Sequence, residues 1–325
     1  MTLTRRAMLL GTLAAPALIR RANAGEAVTY LFPGPQFLPA FAPHQLALKR
    51  GYFTAAGLDV TFQTARGGAD GAKQVAVGNA DMGGGVGETT MIVRPNGLAV
   101  RGVALLGGKP LYQIACRKAA GIKTLADLKG KKIGVISYQD TGYYTLLGAL
   151  AAVGLHKADL EIQSVGPAGM TQLMIAGSLD AITAVPEWSV TLEAANVGLD
   201  FFPIDSAFPS MAQALFTSDD IIKKRPTMVR GFVAAVMHAL NDCITDPKGA
   251  AEEYVTAVPQ QAGKAVEIET ILRRYGTDVY PTIPPAVPGR FDPARLAKVQ
   301  AFYVENAIIP HPVPVEDLYT NDFVG

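Results

Sequence analysis

Cysteine is nearly missing from this chain: 325 residues contain two, Cys116 and Cys243, 127 positions apart. A disulfide-built scaffold is therefore excluded, no C-x-x-C pair is present for a metal or a redox couple, and both thiols are expected to be buried and free. Histidine is equally sparse, with His44, His156, His238 and His311 scattered and no H-x-x-x-H among them. G-x-S-x-G is absent too, so neither a zinc-binding helix nor a nucleophile elbow is written into the chain, and no metal or cofactor is expected. Charged side chains make up only 18%, and beyond residue 25 no apolar run reaches the roughly 20 residues that span a bilayer. Net charge is +1. Without the four arginines before residue 25, 25 basic side chains face 28 acidic ones, a balance with no footprint for nucleic acid or anionic lipid.

What is present is a globular composition, 49% hydrophobic with 33 Gly and 22 Pro, in a chain long enough for two lobes of roughly 100–200 residues each. Residues 1–24 read as an address: Arg5 and Arg6, an apolar run from Ala7 to Ile19, then the small residues of Ala22-Asn23-Ala24. That order predicts a cleaved signal peptide and a periplasmic protein. Thr4 to Leu9 further resembles a twin-arginine export signal. Alternating and continuous apolar runs predict strands over 28–32, 58–62, 80–83, 100–106 and 112–116, then again over 132–136, 161–165, 181–185 and 211–217. Helical patterns separate them near 44–50, 71–78, 143–153 and 171–176, and fill 223–242, 247–257, 266–275 and 293–306. A strand–helix series read twice predicts an α/β chain of two Rossmann-like lobes. The first is expected over 25–112 plus 208–325 and the second over 113–207, with a hinge near Ile114 and Met211. Pro281 to Pro288 and His311 to Pro314 are expected to be extended connectors.

Particular segments carry a resemblance. Ala47 to Phe53 (A-L-K-R-G-Y-F), Ala56 to Val60 (A-G-L-D-V) and Val77 to Gly83 (V-G-N-A-D-M-G) follow one another, and Ile122 to Val135 (I-K-T-L-A-D-L-K-G-K-K-I-G-V) opens the second lobe. Leu179-Asp180-Ala181 then repeats the turn at Asn79-Ala80-Asp81. In register with the predicted strands, these segments resemble the periplasmic solute-binding proteins of the nitrate/sulfonate/taurine and thiamine-precursor group, from residue 28 to about 260. The resemblance implies the type II periplasmic binding protein fold, a hinged cleft holding a small solute, a membrane ABC permease with its ATPase as partner, and a monomer. Gly51 and Gly57 sit where a helix ends and are expected at positive φ. Asp81 and Asp180 are expected to bond backbone amides.

In open α/β sheets ligands gather beyond the carboxyl ends of the strands. That selects Phe32, Gln36 and Phe37 with His44 just beyond, then Arg66 and Gly67, then Gly85, Glu88 and Thr89. In the second lobe it selects Tyr138, Asp140, Thr141, Gly142 and Tyr143, and Glu187 beside Trp188, the single tryptophan. Thr141-Gly142 and Gly87-Glu88-Thr89 open helices, whose free N–H groups suit an oxygen-bearing ligand. The glycines at 83–87 lack the lysine of a P-loop and the spacing G-x-G-x-x-G, so they predict close backbone approach to a ligand, with a tight turn as the plain alternative. For Trp188 the alternatives are ligand stacking and packing between lobes; for Arg66, a ligand contact or an exposed charge.

Three acids against Arg66 favour a neutral or cationic solute with N–H donors, such as an aminopyrimidine, over a sulfonate, nitrate or aromatic acid. An enzyme acting on a vitamin precursor is the alternative from another class, and a partner of a signalling receptor a third. The fungal pyrimidine synthases that the resemblance also brings in need a cysteine cluster, and none follows Trp188, so no enzyme is expected. On these grounds Trp188→Ala is expected to weaken binding with little loss of melting temperature, and Glu88→Gln to weaken an amine solute.

Overall fold

The computed structural model describes residues 25–325 apart from 283–286 and the side chain of Ser206. The expected export segment, 1–24, and the Pro284-Pro285 portion of the expected connector lie outside the described residues. Among the described residues, strands form two five-stranded sheets. The first contains β1 (Glu26–Phe32), β2 (Leu58–Thr64), β3 (Met82–Val86), β4 (Val100–Leu105) and β10 (Gln213–Ser218), in the order β2-β1-β3-β10-β4. The second contains β5 (Gln113–Arg117), β6 (Lys132–Val135), β7 (Glu161–Ser164), β8 (Ala181–Ala184) and β9 (Leu199–Pro203), in the order β7-β6-β8-β5-β9. One plan is used twice. In each sheet the strand on which the chain arrives from the other sheet is inserted antiparallel: β10 between β3 and β4, β5 between β8 and β9. The other pairings are parallel, as in Val28 opposite Val60 and Ile133 opposite Ile162.

The first sheet carries α1 (Ala42–Lys49), α2 (Tyr52–Ala55), α3 (Gly68–Ala76) and α4 (Thr89–Val93), and the second α5 (Thr141–Ala151), α6 (Gly166–Ile175) and α7 (Pro186–Ala194). After β10 follow α8 (Asp219–Lys224), α9 (Pro226–Thr245), α10 (Pro247–Ala257), α11 (Ala265–Asp278), α12 (Pro293–Glu305) and α13 (Val315–Leu318). Side chains alternate across β1, so Tyr30 enters the core beside α1 and α9 while Leu31 enters the one beside α3. On α9, Met228, Val229, Phe232, Val233, Val236, Ala239, Leu240 and Cys243 recur at helical spacing and are buried. Phe232 stacks on Tyr30 with ring centroids 5.2 Å apart, and truncating such a ring to alanine costs on the order of 3–5 kcal/mol.

The two-sheet α/β architecture is the one the sequence predicts, but the sheets expected to be parallel each carry an inserted antiparallel strand, and the helix expected over 223–242 is split at Arg225 before Pro226. Three further differences are local. β9 is absent from the sequence reading: Leu199-Asp200-Phe201-Phe202 is a half-buried edge strand with an acid inside it, which breaks the apolar run. The glycines assigned to a loop are themselves strand. Gly83, Gly84 and Gly85 pair with Phe216, Leu215 and Ala214 in β3, and a Cβ at Gly83 would lie 2.6 Å from the Phe216 ring. Pro186 to Trp188, assigned to a loop, is the first turn of α7, with proline at its start as helices prefer.

Asp81 and Asp180 occupy matching places in the two sheets. Each precedes a central strand and accepts a backbone N–H from the neighbouring one, Thr29 at 2.7 Å and Lys132 at 2.9 Å, so both are structural. Gly51 and Gly57 have φ of +72° and +74°. Cys116 and Cys243 are buried and free, on β5 and α9. No helix among the described residues is long and apolar enough to cross a membrane.

Candidate functional site

A narrow cavity of about 50 Å³, open to solvent on one side, lies where the two sheets face each other. The first sheet and its connections supply Tyr30, Pro33, Gly34, Leu38, Phe41 and His44, with Gly84 and Gly85 of β3 as floor. The two crossings supply Leu106, Leu111, Tyr112, Gln213 and Ala214, and the second sheet Ile136, Asp140, Thr141, Val185, Glu187 and Trp188. Most of this wall is apolar or aromatic, with few polar groups, as small-molecule sites generally are. The glycines let their neighbours pack close beneath it: a Cβ at Gly84 would lie 2.3 Å from the Tyr30 hydroxyl, and one at Gly85 2.3 Å from Thr89 Oγ1.

The polar groups are incompletely used. His44 is 2% exposed, wedged at 4.7 Å from the Tyr30 ring and 5.2 Å from that of Phe32, and neither of its nitrogens has a partner. Burial holds it down at about 3, so the ring is neutral and offers one donor and one acceptor. Gln213 Nε2 donates to the Ala40 carbonyl at 3.0 Å while its Oε1 is unpartnered. Glu187 Oε2 accepts the Tyr275 hydroxyl at 2.6 Å while its Oε1 is unpartnered. Asp140 caps α5, its Oδ2 accepting from Gly142 N at 2.9 Å and from the Tyr112 hydroxyl at 3.0 Å. Burial pushes Glu187 up to about 7 and Asp140 up to about 6. Buried polar atoms are nearly always paired, so four free ones on three lining residues mark where a solute would bond. Arginine and lysine are missing from the lining.

Of the sequence-derived candidates, His44, Gly85, Asp140, Thr141, Glu187 and Trp188 line the cavity. The others do not. Phe32 is fully buried behind His44, stacked on Phe41 at 4.4 Å. Gln36 is turned to the Phe62 carbonyl at 3.0 Å, and the Phe37 carbonyl accepts from Tyr254 and Gln261 while its ring faces outward. Arg66 has a side chain 78% exposed that pairs with Asp70 at 3.4 Å, so it brings no charge to the cavity. Thr89 accepts the Val86 N–H at 3.0 Å, capping its own turn. Tyr138 is an exposed ring whose hydroxyl donates to the Ile162 carbonyl, and Tyr143 packs edge-on against it at 5.3 Å. Gly142 serves only to bond Asp140.

Glu88, expected to face the solute, is fully buried against the second crossing: it accepts from Ser210 Oγ at 2.5 Å and Met211 N at 2.8 Å. Arg295 of α12 joins the two crossings, bonding the carbonyls of Pro209 and Ser210 on the second and of Gly108 on the first. Glu88 is therefore a structural residue that ties the end of β3 to the second crossing, and burial raises it to about 7. A Glu88→Gln change reports on this packing against the second crossing rather than on solute charge.

Gly67 lies on a seam beside the cavity. There Ser137 Oγ donates to the Arg66 carbonyl at 2.6 Å and Ala69 N to the Gln139 carbonyl at 3.3 Å, joining the β2–α3 loop to the β6–α5 loop. Gly67 has φ +139° and ψ 168°, a region reserved for glycine, and a Cβ there would lie 2.4 Å from the Gln139 oxygen. Gly67→Ala is expected to leave both sheets folded while weakening solute binding by roughly tenfold or more, because its Cβ would push apart the seam beside Asp140 at a strain of about 1–3 kcal/mol. Calorimetric affinity at an unchanged circular dichroism spectrum checks it, and parent-like affinity would return Gly67 to loop geometry alone.

Tyr112 and Gln213 were missed by reading only the loops after strands. A legible signal did exist: a strand inserted antiparallel presents its amino end at the rim where its parallel neighbours present their carboxyl ends. The residues at the starts of β5 and β10 therefore belong to the site.

A model of the family described as "NMT1/THI5 like" matches residues 38–250. The chain belongs to this family. Riboflavin-binding protein RibY of Chloroflexus aurantiacus is 23% identical over 333 residues, covering 96% of this chain and 90% of the relative. The 4-amino-5-hydroxymethyl-2-methylpyrimidine phosphate synthase THI13 of Saccharomyces cerevisiae is 26% identical over 252 residues, 72% of each chain. Among solved structures, the alkanesulfonate-binding protein SsuA of Xanthomonas axonopodis pv. citri superposes with TM-score 0.71 at 18% identity, covering 92% of this chain and 98% of that one. The periplasmic nitrate-binding protein NrtA of Synechocystis PCC 6803 gives 0.67 at 14% identity, covering 92% and 87%. The family member described here thus has the periplasmic binding protein fold.

Proposed function

We propose that this chain is the periplasmic solute-binding component of an ABC importer, and that it captures an uncharged or weakly basic nitrogen heterocycle carrying N–H donors. The observation that carries this is the composition of the cavity wall. Tyr30, Phe41, Tyr112 and Trp188 make the wall aromatic; His44, Gln213 and Glu187 hold free hydrogen-bonding atoms; the described lining has no cation to balance a sulfonate or nitrate. A desolvated anion beside Asp140 and Glu187 would meet like charge or force both carboxyls to stay protonated, which is costly. Aminopyrimidines and flavins, the ring systems in the printed names of two relatives, both fit this donor–acceptor pattern. The cavity takes its walls from both sheets, so a solute favours the closed arrangement because only there does it touch both, a shift of population rather than a reaction. The permease and its ATPase would then read closure.

The radius of gyration by small-angle scattering is expected to fall when 4-amino-2-methylpyrimidine or riboflavin saturates the protein, and no compaction with a bound solute would remove the hinge. An enzyme on the same fold is the reading to exclude, since synthases occur among the relatives. Mass spectrometry of the solute after incubation separates the two: intact recovery supports the receptor and conversion overturns it. Neither thiol serves such chemistry here, since Cys116 and Cys243 are absent from the cavity wall and burial pushes both up to about 12.

A further inference from the structure

Glu187 divides its two oxygens between different tasks. It stands in the first turn of α7, attached to the second sheet, and is 4% exposed. Its Oε2 accepts from Tyr275, a fully buried residue 88 positions later on α11. That helix packs on α9, α10 and the turn at Pro39–Phe41 beside the first sheet, and also on α7. The bond therefore crosses from one half of the molecule to the other. Two more polar contacts join the same helices, Arg274 to Glu193 at 3.0 Å and Thr191 Oγ1 to Glu267 at 3.4 Å, but both lie outside the cavity. Of these three contacts only the Tyr275 bond ends on a cavity residue; the Ala40 amide also lies toward that carboxyl, and Oε1 is left without a hydrogen bond of normal geometry.

We propose that Tyr275 is a positioning residue that couples solute binding to closure: by holding one oxygen of Glu187 across the boundary between the halves, it presents the other to the solute. This rests on the receptor reading above. When the halves separate, Tyr275 and Glu187 part, the carboxyl returns to water and its free oxygen is no longer aimed. A bound solute must therefore wait for this bond to break before it leaves, so the bond acts on dissociation more than on association. The titratable groups around Glu187 are known. Tyr112 from the first crossing, Tyr254 from α10, and Tyr275 and Tyr280, stacked at 5.3 Å, all lie within reach of its charge, while Asp140 and neutral His44 share its cavity.

The test uses the full mature chain with 4-amino-2-methylpyrimidine and riboflavin as probes, followed by stopped-flow fluorescence of Trp188, the single tryptophan. Tyr275→Phe is expected to speed dissociation tenfold or more with association within about twofold. It should also move the pH midpoint of dissociation upward, since the carboxylate loses a donor that favours its charged form. Glu187→Gln keeps an acceptor for Tyr275 and is expected to remove the part of that pH dependence near 7 while leaving the part near 6 that belongs to Asp140, which decides the matter if Tyr275→Phe fails to fold. Parent-like rates and midpoint in Tyr275→Phe, or an unchanged pH dependence in Glu187→Gln, overturn the coupling while the receptor reading stands. If neither probe binds, the receptor reading for these ring systems fails separately. The pair is then judged in the free protein by the carboxyl carbon resonance of Glu187, assigned by its loss in Glu187→Gln: a midpoint raised by Tyr275→Phe supports the positioning, and an unmoved one overturns it.

Discussion

Raising the pH from 5 to 8 is expected to lower the melting temperature of the solute-free protein by on the order of 10 °C, corresponding to about 5 kcal/mol of stability. Three buried carboxyls drive this. Glu88 and Glu187 are pushed up to about 7 and Asp140 to about 6, above the ordinary values of 4.5 and 3.8, so protonation favours the folded chain. Their contribution is complete below the ordinary values and is lost as the pH rises through 6 and 7. His44 opposes them: burial holds it at about 3 against an ordinary 6.5, so its contribution is complete above 6.5 and is lost as the pH falls. Three groups outweigh one over most of the window, and stability falls with rising pH. Calorimetric melts across that range check the sign, and a melting temperature equal or higher at pH 8 would mean that water reaches these carboxyls. Glu88→Gln and Glu187→Gln should each flatten the slope.

Trp188→Ala is expected to weaken solute binding by roughly a hundredfold, in the range of a buried aromatic anchor at an interface. It should also cost the solute-free protein on the order of 3 kcal/mol. The second effect corrects the expectation from sequence that melting would hardly change. Trp188 is 5% exposed and belongs to a core that runs from α6 and α7 to α9, α10 and α11, so the ring packs as well as lines the cavity. Titration calorimetry and a thermal melt on one preparation separate the two effects. Parent-like affinity with a lowered melting temperature would make Trp188 purely structural.

Much of the fold was legible because it follows from local chemistry. An alternating run gave β2, short apolar runs gave β1 and β6, glycine at helix ends gave the turns at Gly51 and Gly57, and the repeated turn before β3 and β8 announced two copies of one plan. Cavity residues at strand ends or helix starts, such as Asp140, Thr141, Glu187 and Trp188, were reachable for the same reason. Direction was not. A sequence places Glu88 and Glu187 alike, each just after a central strand, yet one turns against the second crossing and the other into the cavity, because that depends on what α12 and α11 bring from far along the chain.

The sequence by itself therefore determined two α/β units, their order, the rim from which a site would be built, and a chain without cysteine or histidine clusters. Only the tertiary structure decided which acids face the cavity, that Arg66 leaves it, that Tyr112 and Gln213 enter it, and that Tyr275 reaches across to Glu187. The physical reason is that propensity and periodicity act over a few residues. Burial, which shifts pKa values and leaves polar atoms without partners, is set by contacts between residues separated by tens to hundreds of positions.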